Sequence, residues 1–307
     1  MTPIDYLDSD VAYLLGMLVA RGEISSSENV YRINIHFPKG NLIAEGQTRR
    51  FDVDKEVSLG IEKIRERLVE LLDADIRTVD ESETKDLVIR TTRRSMAWRN
   101  ISMILNDQSS FPYFEIPQVF FDPNTPYEFK REFLRGYADV AGNIRLANRD
   151  QTGRHRVRLD ILNYPTNWKV PVQLCILLQN HLNVGVPSII WGHPNLGREW
   201  REHQLNVYAE DFLSLGFYFD YKQAALNELA SINQARGGHG TSPCPGQRLI
   251  GRGRRKPSHP EEHNSTRLDP NLVGRHYTSY WQICRELGCP RRPPAGAQLE
   301  MGLEESE

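Results

Sequence analysis

The sequence predicts an α+β protein made of two copies of one αββαββα unit, followed by a small basic C-terminal extension. A helical motif recurs after about 120 residues, with Gly16 matching Gly136 and Gly22 matching Gly142. Each copy is followed by strands in which apolar and polar residues alternate. Beyond these strands the composition becomes rich in Gly, Pro and Arg. We expect a first repeat over 1–120, a second over 121–234 and the extension over 235–307.

Composition places the chain among ordinary globular proteins. Of its 307 residues, 39% are hydrophobic and 25% are charged, and the formal net charge is −2. No apolar run is long enough to span a membrane, so no membrane partner is expected. The acidic start MTPIDYLDSD does not resemble a secretory or transit peptide. Four cysteines are too few for a disulfide scaffold. These features predict a cytoplasmic or organelle-encoded protein that is not secreted.

The first element of each copy is predicted to be a helix that ends at glycine. Asp8 provides an N-cap for a helix over Val11–Ala20. In the second copy, Thr125 and Glu128 form a capping box for a helix that runs to Val140. Glycine follows both helices, as helix C-termini prefer.

The next elements are strands with one apolar and one polar face. In the first copy the apolar residues are Ile33, Ile35 and Phe37. In the second copy Val157, Leu159 and Ile161 form the apolar face. The run Arg32-Ile-Asn-Ile resembles Arg158-Leu-Asp-Ile, at an offset of 126 residues, which indicates a longer loop in the second copy. One face of each sheet is therefore expected to pack on helices.

The remaining elements repeat in the same order. A second helix is predicted for DKEVSLGIEKIRERLVELL in the first copy and for VPVQLCILLQNHL in the other. A second strand pair follows, IRTV with DLVIRTT and then VPSIIWG with HQLNVYAE. Each copy ends in a further helix.

The two repeated helices resemble the motif of the LAGLIDADG family of homing endonucleases. The motif falls on LLGMLVARG, ending at Gly22, and on LRGYADVAG, ending at Gly142. The resemblance implies that the two motif helices pack side by side around a pseudo-twofold axis. It also implies that the strands form a saddle over double-stranded DNA. Because both motifs lie in one chain, a monomer is expected.

The acidic positions of the family motif are occupied by other residues. The family places a carboxylate before the last glycine of each motif to hold a divalent cation such as Mg²⁺, and this chain has Arg21 and Ala141 there. The nearest carboxylates are Glu23 and Asp139, which we take as the candidate catalytic pair. Asp160 is an alternative second carboxylate.

The polar strand faces are the candidate DNA-binding surface. Arginines at every second position can contact phosphates or guanine edges. A solvated sheet face is the alternative interpretation. The candidate residues are Arg32, Asn34, His36, Arg145, Arg154, Arg156 and Arg158.

The extension contains a candidate structural zinc site. Zn²⁺ in such sites takes four Cys or His ligands. The alternative is a set of unrelated reduced thiols in a basic tail. The candidate ligands are Cys244, His259 (or His263), Cys284 and Cys289.

The sequence is consistent with two functional hypotheses. One is a sequence-specific DNA-binding protein that cleaves its target as a homing or restriction endonuclease. The other is a non-cleaving DNA-binding regulator or an RNA-splicing maturase. Arg21 and Ala141 favour the second hypothesis, whereas Glu23 and the double motif favour the first. An enzyme unrelated to nucleic acid has little support, because no P-loop or Rossmann glycine pattern is present.

Overall fold

The predicted order of elements is present in the structure, which is a computed structural model. Asp8 caps the first helix as predicted, because its side chain accepts hydrogen bonds from the backbone N–H groups of Asp10 and Val11.

The structure describes residues 7–26, 30–46, 53–72, 74–92, 95–163, 169–194, 201–236 and 262–263.

The first repeat has the predicted αββαββα order with one extra short helix. Its elements are α1 (Ser9–Arg21), β1 (Gly22–Ser26), β2 (Val30–Pro38), the short α2 (Lys39–Leu42), α3 (Val53–Leu72), β3 (Asp75–Asp80), β4 (Thr84–Thr92) and α4 (Met96–Ile104).

The second repeat follows a 3₁₀ turn over Gln118–Phe121 and has the same order. Its α6 continues into a π-helical turn over Leu177–His181. Its elements are α5 (Tyr127–Ala141), β5 (Gly142–Arg149), β6 (His155–Asn163), α6 (Lys169–Ile176), β7 (Ser188–Pro194), β8 (Arg201–Tyr208), the short α7 (Ala209–Phe212) and α8 (Asp220–Ala235). A two-residue strand, β9 (Glu262–His263), lies in the extension.

Each repeat forms one antiparallel sheet. The strand order is β1-β2-β4-β3 in the first sheet and β5-β6-β8-β7-β9 in the second. The first strand of each order, β1 or β5, directly follows a motif helix, and we call it the inner strand of its sheet. The two sheets are therefore built alike, as the internal repeat predicts.

The predicted apolar faces of the strands are buried. Ile33, Ile35 and Phe37 of β2 are fully enclosed, and Val157, Leu159 and Ile161 of β6 are almost so. They belong to one continuous hydrophobic cluster that includes residues of both repeats. The opposite faces of both sheets, which we call the outer faces, carry the polar residues of the strands.

The motif helices α1 and α5 pack against each other through equivalent glycines. A Cβ atom on Gly16 would lie 2.0 Å from the backbone oxygen of Phe133. A Cβ atom on Gly136 would lie 2.1 Å from the backbone oxygen of Tyr13. Since Tyr13 matches Phe133 in the repeat, the contact is the same in both directions. Such a contact relates the two repeats by an approximate twofold axis.

Glycine is required at the ends of both helices, but not because of a left-handed conformation. Gly22 and Gly142 are extended, with φ of −94° and −93°. A Cβ atom on Gly22 would approach the backbone of Leu18 to 2.7 Å, and one on Gly142 would approach the oxygen of Ala138 to 2.4 Å. The close approach of the chain to the last helical turn therefore excludes a side chain.

The predicted capping box of α5 is wrong. The helix begins at Tyr127, and Pro126 precedes it without a side-chain cap. The Thr125 hydroxyl instead donates to the backbone oxygen of Val119, at 2.6 Å. The Thr125 hydroxyl therefore binds the 3₁₀ turn before the helix and not the N-terminus of the helix.

The strand register corrects the sequence match between the repeats. Gly22 pairs with Ile35, 13 residues later, whereas Gly142 pairs with Leu159, 17 residues later. The second hairpin is thus longer by four residues, and Arg32 corresponds to Arg156 rather than to Arg158.

No described helix is both long enough and apolar enough to cross a membrane.

Candidate nucleic-acid interface

The outer face of the first sheet carries three of the predicted DNA-binding residues. Arg32, Asn34 and His36 alternate along β2 with the buried residues. The Arg32 side chain is exposed, and its Nε donates to the Asn34 Oδ1 at 3.1 Å. In the strand register, Arg90 of β4 pairs with Arg32, and Arg77 of β3 lies in the same row as Asn34. The side chains of Arg77 and Arg90 are exposed on this face.

Glu23 lies on the same outer face, next to His36. Glu23 pairs with Asn34 in the ladder of β1 and β2, and its side chain is 51% exposed. The His36 Nε2 is 3.6 Å from the Glu23 Oε2, and the His36 Nδ1 is 2.9 Å from the Asp86 Oδ2. The imidazole therefore lies between two carboxylates at the surface. We call Glu23, His36 and Asp86 the acid–histidine cluster.

Two predicted arginines lie on the outer face of the second sheet. Arg156 donates to the hydroxyl of Ser188 at 3.3 Å and to the backbone oxygen of Arg149 at 3.0 Å. The Nε of Arg158 lies 3.1 Å from the Oδ1 of Asp160. Both side chains are half-buried, so they lie along the sheet rather than extend from it.

Arg154, the third arginine of the predicted row, is bound by side chains at the end of the sheet. Its guanidinium lies 3.6 Å from the ring centre of Tyr208, and its Nε donates to Glu210 at 3.1 Å. Arg154 precedes β6 in the hairpin, where its backbone N–H donates to Asp150. The structure therefore brings two of the three arginines together, and the third holds α7 against the sheet.

Arg145 joins the two repeats. Its guanidinium donates to the backbone oxygen of Gly40 in α2. Beside it, the backbone N–H of Glu45 donates to the Ile144 oxygen at 3.0 Å, and the Glu45 carboxylate accepts from Leu146 at 3.3 Å. A segment of the first repeat thus covers the inner edge of the second sheet.

The inner edge of the first sheet is also covered by the chain. The Ile24 N–H donates to the Ser109 oxygen at 2.7 Å, and the Phe111 N–H donates to the Gly22 oxygen at 2.8 Å. The segment that contains Ser109 and Phe111 connects the first repeat to the second. Along their described inner edges, both β1 and β5 therefore have backbone partners from their own chain.

Arg21 and Ala141 occupy the two motif positions at which the LAGLIDADG family has acidic residues, and neither side chain is a metal ligand. Arg21 is almost completely buried, its guanidinium donates to the Ala20 oxygen at 2.7 Å, and it lies 5.8 Å from the ring centre of Phe111. Ala141 is fully buried. A cation at the end of α1 complements the negative end of the helix dipole.

Asp139 lies in the core and is not brought near Glu23. Its carboxylate accepts from the Tyr13 hydroxyl at 2.8 Å and from the Tyr218 N–H at 3.1 Å, and it is 0% exposed. Burial raises the Asp139 pKa to about 6. The buried Lys222, whose pKa burial lowers to about 8, donates to the backbone oxygens of Asp139 and Gly142. Asp139 therefore links α5 to α8 and to the segment before it.

The four candidate zinc ligands, Cys244, His259, Cys284 and Cys289, lie outside the described residues. Within the described ranges, no group of three or more His, Cys, Asp or Glu side chains forms a metal site. Cys175 is buried and forms no disulfide.

Sequence reasoning missed Asp86 and Asn143. Asp86 pairs with His36 across β2 and β4, 50 residues away in sequence. Asn143 donates to the Asp160 Oδ2 at 3.0 Å. Only the ladder register identifies these pairs, so no local pattern in the sequence was available to find them.

Solved structures similar to this chain belong to the family that its two motifs resemble. One is a variant of I-DmoI in complex with its target DNA and with manganese present, with a TM-score of 0.39 and 17% identity over 69% of this chain and 92% of that one. Another is the homing endonuclease I-WcaI bound to its DNA recognition sequence, with a TM-score of 0.39 and 11% identity over 69% and 84%.

A third is the N-terminal LAGLIDADG domain of DUF199/WhiA, with a TM-score of 0.37 and 12% identity over 72% of this chain and 84% of that domain. No protein-family model and no curated protein match the chain. The functional assignment therefore depends on the residues of the chain itself.

Proposed function

We propose that the protein binds double-stranded DNA in a sequence-dependent manner on the outer faces of its two sheets. The observation that carries the proposal is the reciprocal contact of Gly16 and Gly136, because it presents two equivalent sheets as one twofold surface. DNA half-sites are related by the same kind of symmetry. One chain thus supplies both halves of the interface.

The side chains of the outer faces suit this ligand. Arg32, Arg156 and Arg158 can contact phosphates or guanine edges, and Asn34 can bind adenine. The net charge of −2 offers no long-range attraction to DNA, so binding has to come from these local arginines.

The test is selection from a randomised duplex library in the presence of Mg²⁺, with retention and cleavage scored separately. We expect enrichment of one duplex sequence and a strong salt dependence. Equal retention of all sequences would contradict sequence-dependent binding. A lack of retention at low salt would contradict DNA binding itself.

Hydrolysis of the bound DNA is supported by the acid–histidine cluster. Glu23 is exposed next to the end of α1, and Mg²⁺ is usually bound by one or two carboxylates together with phosphate oxygens and water. The exposed Glu23 carboxylate fits a cation that it would share with phosphate oxygens of the DNA. Such a cation, when bound, would neutralise charge at the scissile phosphate.

The chain's own residues supply the remaining chemistry. Glu23 would hold the cation, and His36 lies next to Glu23 with its Nδ1 held by Asp86. The imidazole of His36 can accept a proton from the attacking water. The proximity of Glu23 and His36 supports assigning the metal ligand and the base to the first sheet.

A non-cleaving regulator or a splicing maturase is the second candidate. Arg21 and Ala141 favour it, because neither side chain can replace a carboxylate at a helix end. Binding to a structured RNA in competition with the selected duplex distinguishes the maturase from the DNA-binding protein.

We further propose that the extension binds one structural Zn²⁺ through Cys244, His259, Cys284 and Cys289. The residue types support this, because thiolate and imidazole are the preferred ligands of zinc.

A further inference from the structure

The acid–histidine cluster has a defined counterpart in the second repeat. Gly22 and Gly142 begin the inner strands, so Glu23 corresponds to Asn143. The ladder register then equates His36 with Asp160. Because His36 pairs with Asp86 and Asp160 pairs with Gln204, those two partners also correspond. The counterpart thus consists of Asn143, Asp160 and Gln204.

The two sets differ in charge. The first has two carboxylates and an imidazole, whereas the second has two amides and one carboxylate. The carboxylate of the second set is neutralised within the sheet, since Asp160 lies 3.1 Å from the Nε of Arg158 and accepts from Asn143 at 3.0 Å. The second set therefore lacks the net negative charge that a cation needs.

The two sets also differ in exposure. The side chain of Glu23 is 51% exposed, whereas Asn143 is 1% exposed and Asp160 is 2% exposed. The Asn143 Oδ1 also accepts from Asn148 at 2.7 Å, so this amide is fixed on both sides. A phosphate that lies on the outer face can reach Glu23 but not the Asp160 carboxylate.

Hydrolysis of a phosphodiester requires a base next to the attacked phosphorus. The oxygen of water forms the new bond to phosphorus, one bridging P–O bond breaks, and the leaving oxygen takes up a proton. The proton lost by the water passes to the base. In the first repeat Glu23 is exposed and His36 is partly exposed for this role, whereas Asn143, Asp160 and Gln204 at the equivalent positions of the second repeat are buried.

We propose that the protein nicks DNA: it cuts the strand that lies against the first repeat and leaves the other strand intact. The inference rests on the proposed hydrolysis at Glu23 and adds its strand preference. Two repeats related by a twofold axis face opposite strands of a duplex, so a centre present in one repeat acts on one strand.

The test uses the full chain, Mg²⁺ and the duplex selected from the random library, with a different fluorophore on each strand. Denaturing electrophoresis in single turnover separates the products of the two strands. We expect one strand to be cut about 100-fold faster than the other, which is the scale of a missing catalytic base. A supercoiled plasmid that carries the same site should become relaxed and not linear.

Glu23→Gln keeps the shape of the side chain and removes its charge. We expect it to reduce nicking about 100-fold while duplex retention stays unchanged. Glu62→Gln is the matched control, because Glu62 is an exposed glutamate of α3 that pairs with Arg65. This control should nick at the rate of the unmodified protein.

The outcomes separate the two proposals. Equal cutting of both strands would overturn the nicking proposal and leave DNA hydrolysis in place. Retention of the duplex without any cutting, or cutting that Glu23→Gln does not change, would overturn the assigned centre and with it the nicking proposal. Failure to retain any duplex would overturn the proposed function.

Discussion

Gly16 and Gly136 occupy equivalent positions in α1 and α5, and each faces the backbone of the other helix. No side chain fits between them, since a Cβ atom at either position would lie about 2 Å from a backbone oxygen of the partner helix. The contact brings the two repeats into one hydrophobic core. The spacing of the two outer faces therefore depends on these two residues.

Gly16→Ala should destabilise the protein strongly. The added methyl group meets backbone atoms that cannot rotate away, so the two helices have to separate. We expect a loss of about 3 kcal/mol in the free energy of unfolding, measured by urea titration. Gly40→Ala is the control, because its nearest neighbour would be the Arg145 guanidinium at 3.9 Å. An equal loss in both variants would contradict the role of the glycine contact.

Arg156→Gln combined with Arg158→Gln should weaken duplex binding and lower its salt dependence. Each phosphate contact that is lost reduces the slope of log K against log salt by about 0.9. Fluorescence anisotropy over a range of about 50 to 200 mM salt measures this slope. If both affinity and slope stay unchanged, the outer face of the second sheet is only solvated.

Arg154→Gln is expected to behave differently. Its guanidinium is bound to Glu210 and stacked on Tyr208, so we expect it to make no contact with the duplex. We expect an unchanged salt slope and a loss of about 1 kcal/mol in the free energy of unfolding. A reduced salt slope would show that Arg154 reaches DNA.

Asp139→Asn should alter the pH dependence of stability. The Asp139 pKa rises to about 6 on folding because the carboxyl is buried, so the folded state binds more protons than the unfolded state between about pH 4 and pH 6. The contribution of this group to stability therefore falls as pH rises through that range, by up to about 3 kcal/mol.

The measurement is the difference in free energy of unfolding between the unmodified protein and Asp139→Asn. We expect this difference to decrease from about pH 4 to about pH 6, because the variant lacks the titrating carboxyl. Asp122→Asn is a suitable control, since Asp122 caps an exposed turn through Asn124. A difference that does not change with pH would show that Asp139 titrates normally.

The protein should be a monomer in solution. Segments of its own chain cover the inner edges of β1 and β5, so along their described length these strands cannot pair with a second copy. Light scattering at several concentrations should give the mass of one chain. A dimer mass would indicate that another surface associates.

The zinc proposal predicts one equivalent of zinc per chain by elemental analysis. Cys284→Ser with Cys289→Ser should lose that zinc, whereas Cys175→Ser should keep it, because Cys175 is in the core of the second repeat. Zinc that persists in the double variant would contradict the assignment.

Local periodicity was sufficient to predict most of the fold. Alternation identified the buried faces of β2 and β6, and the repeated glycines identified the packed helices. Periodicity does not report which distant group a side chain meets. By periodicity Arg154 is equivalent to Arg156 and Arg158, although Glu210, 56 residues away, binds its guanidinium.

The candidate site was predicted less completely for the same reason. The position of Glu23 next to Gly22 identifies it as a candidate acid, and the polar face of β2 identifies His36 as a candidate DNA-binding residue. Asp86 joins them only through the ladder between β2 and β4. Asp139 was considered as a catalytic acid because it is close to Gly142 in sequence. Its true environment is set by Tyr13 and Tyr218, which come from elements far apart in the chain.

The joining of both repeats in one polypeptide has an evolutionary consequence. In a homodimer every mutation occurs twice, so a substitution of Glu23 by an amide would change both halves at once. Here one half has Glu23 and the other has Asn143. Because the two halves are encoded separately, a hairpin can lengthen or a charge can disappear in one half while the other half stays unchanged.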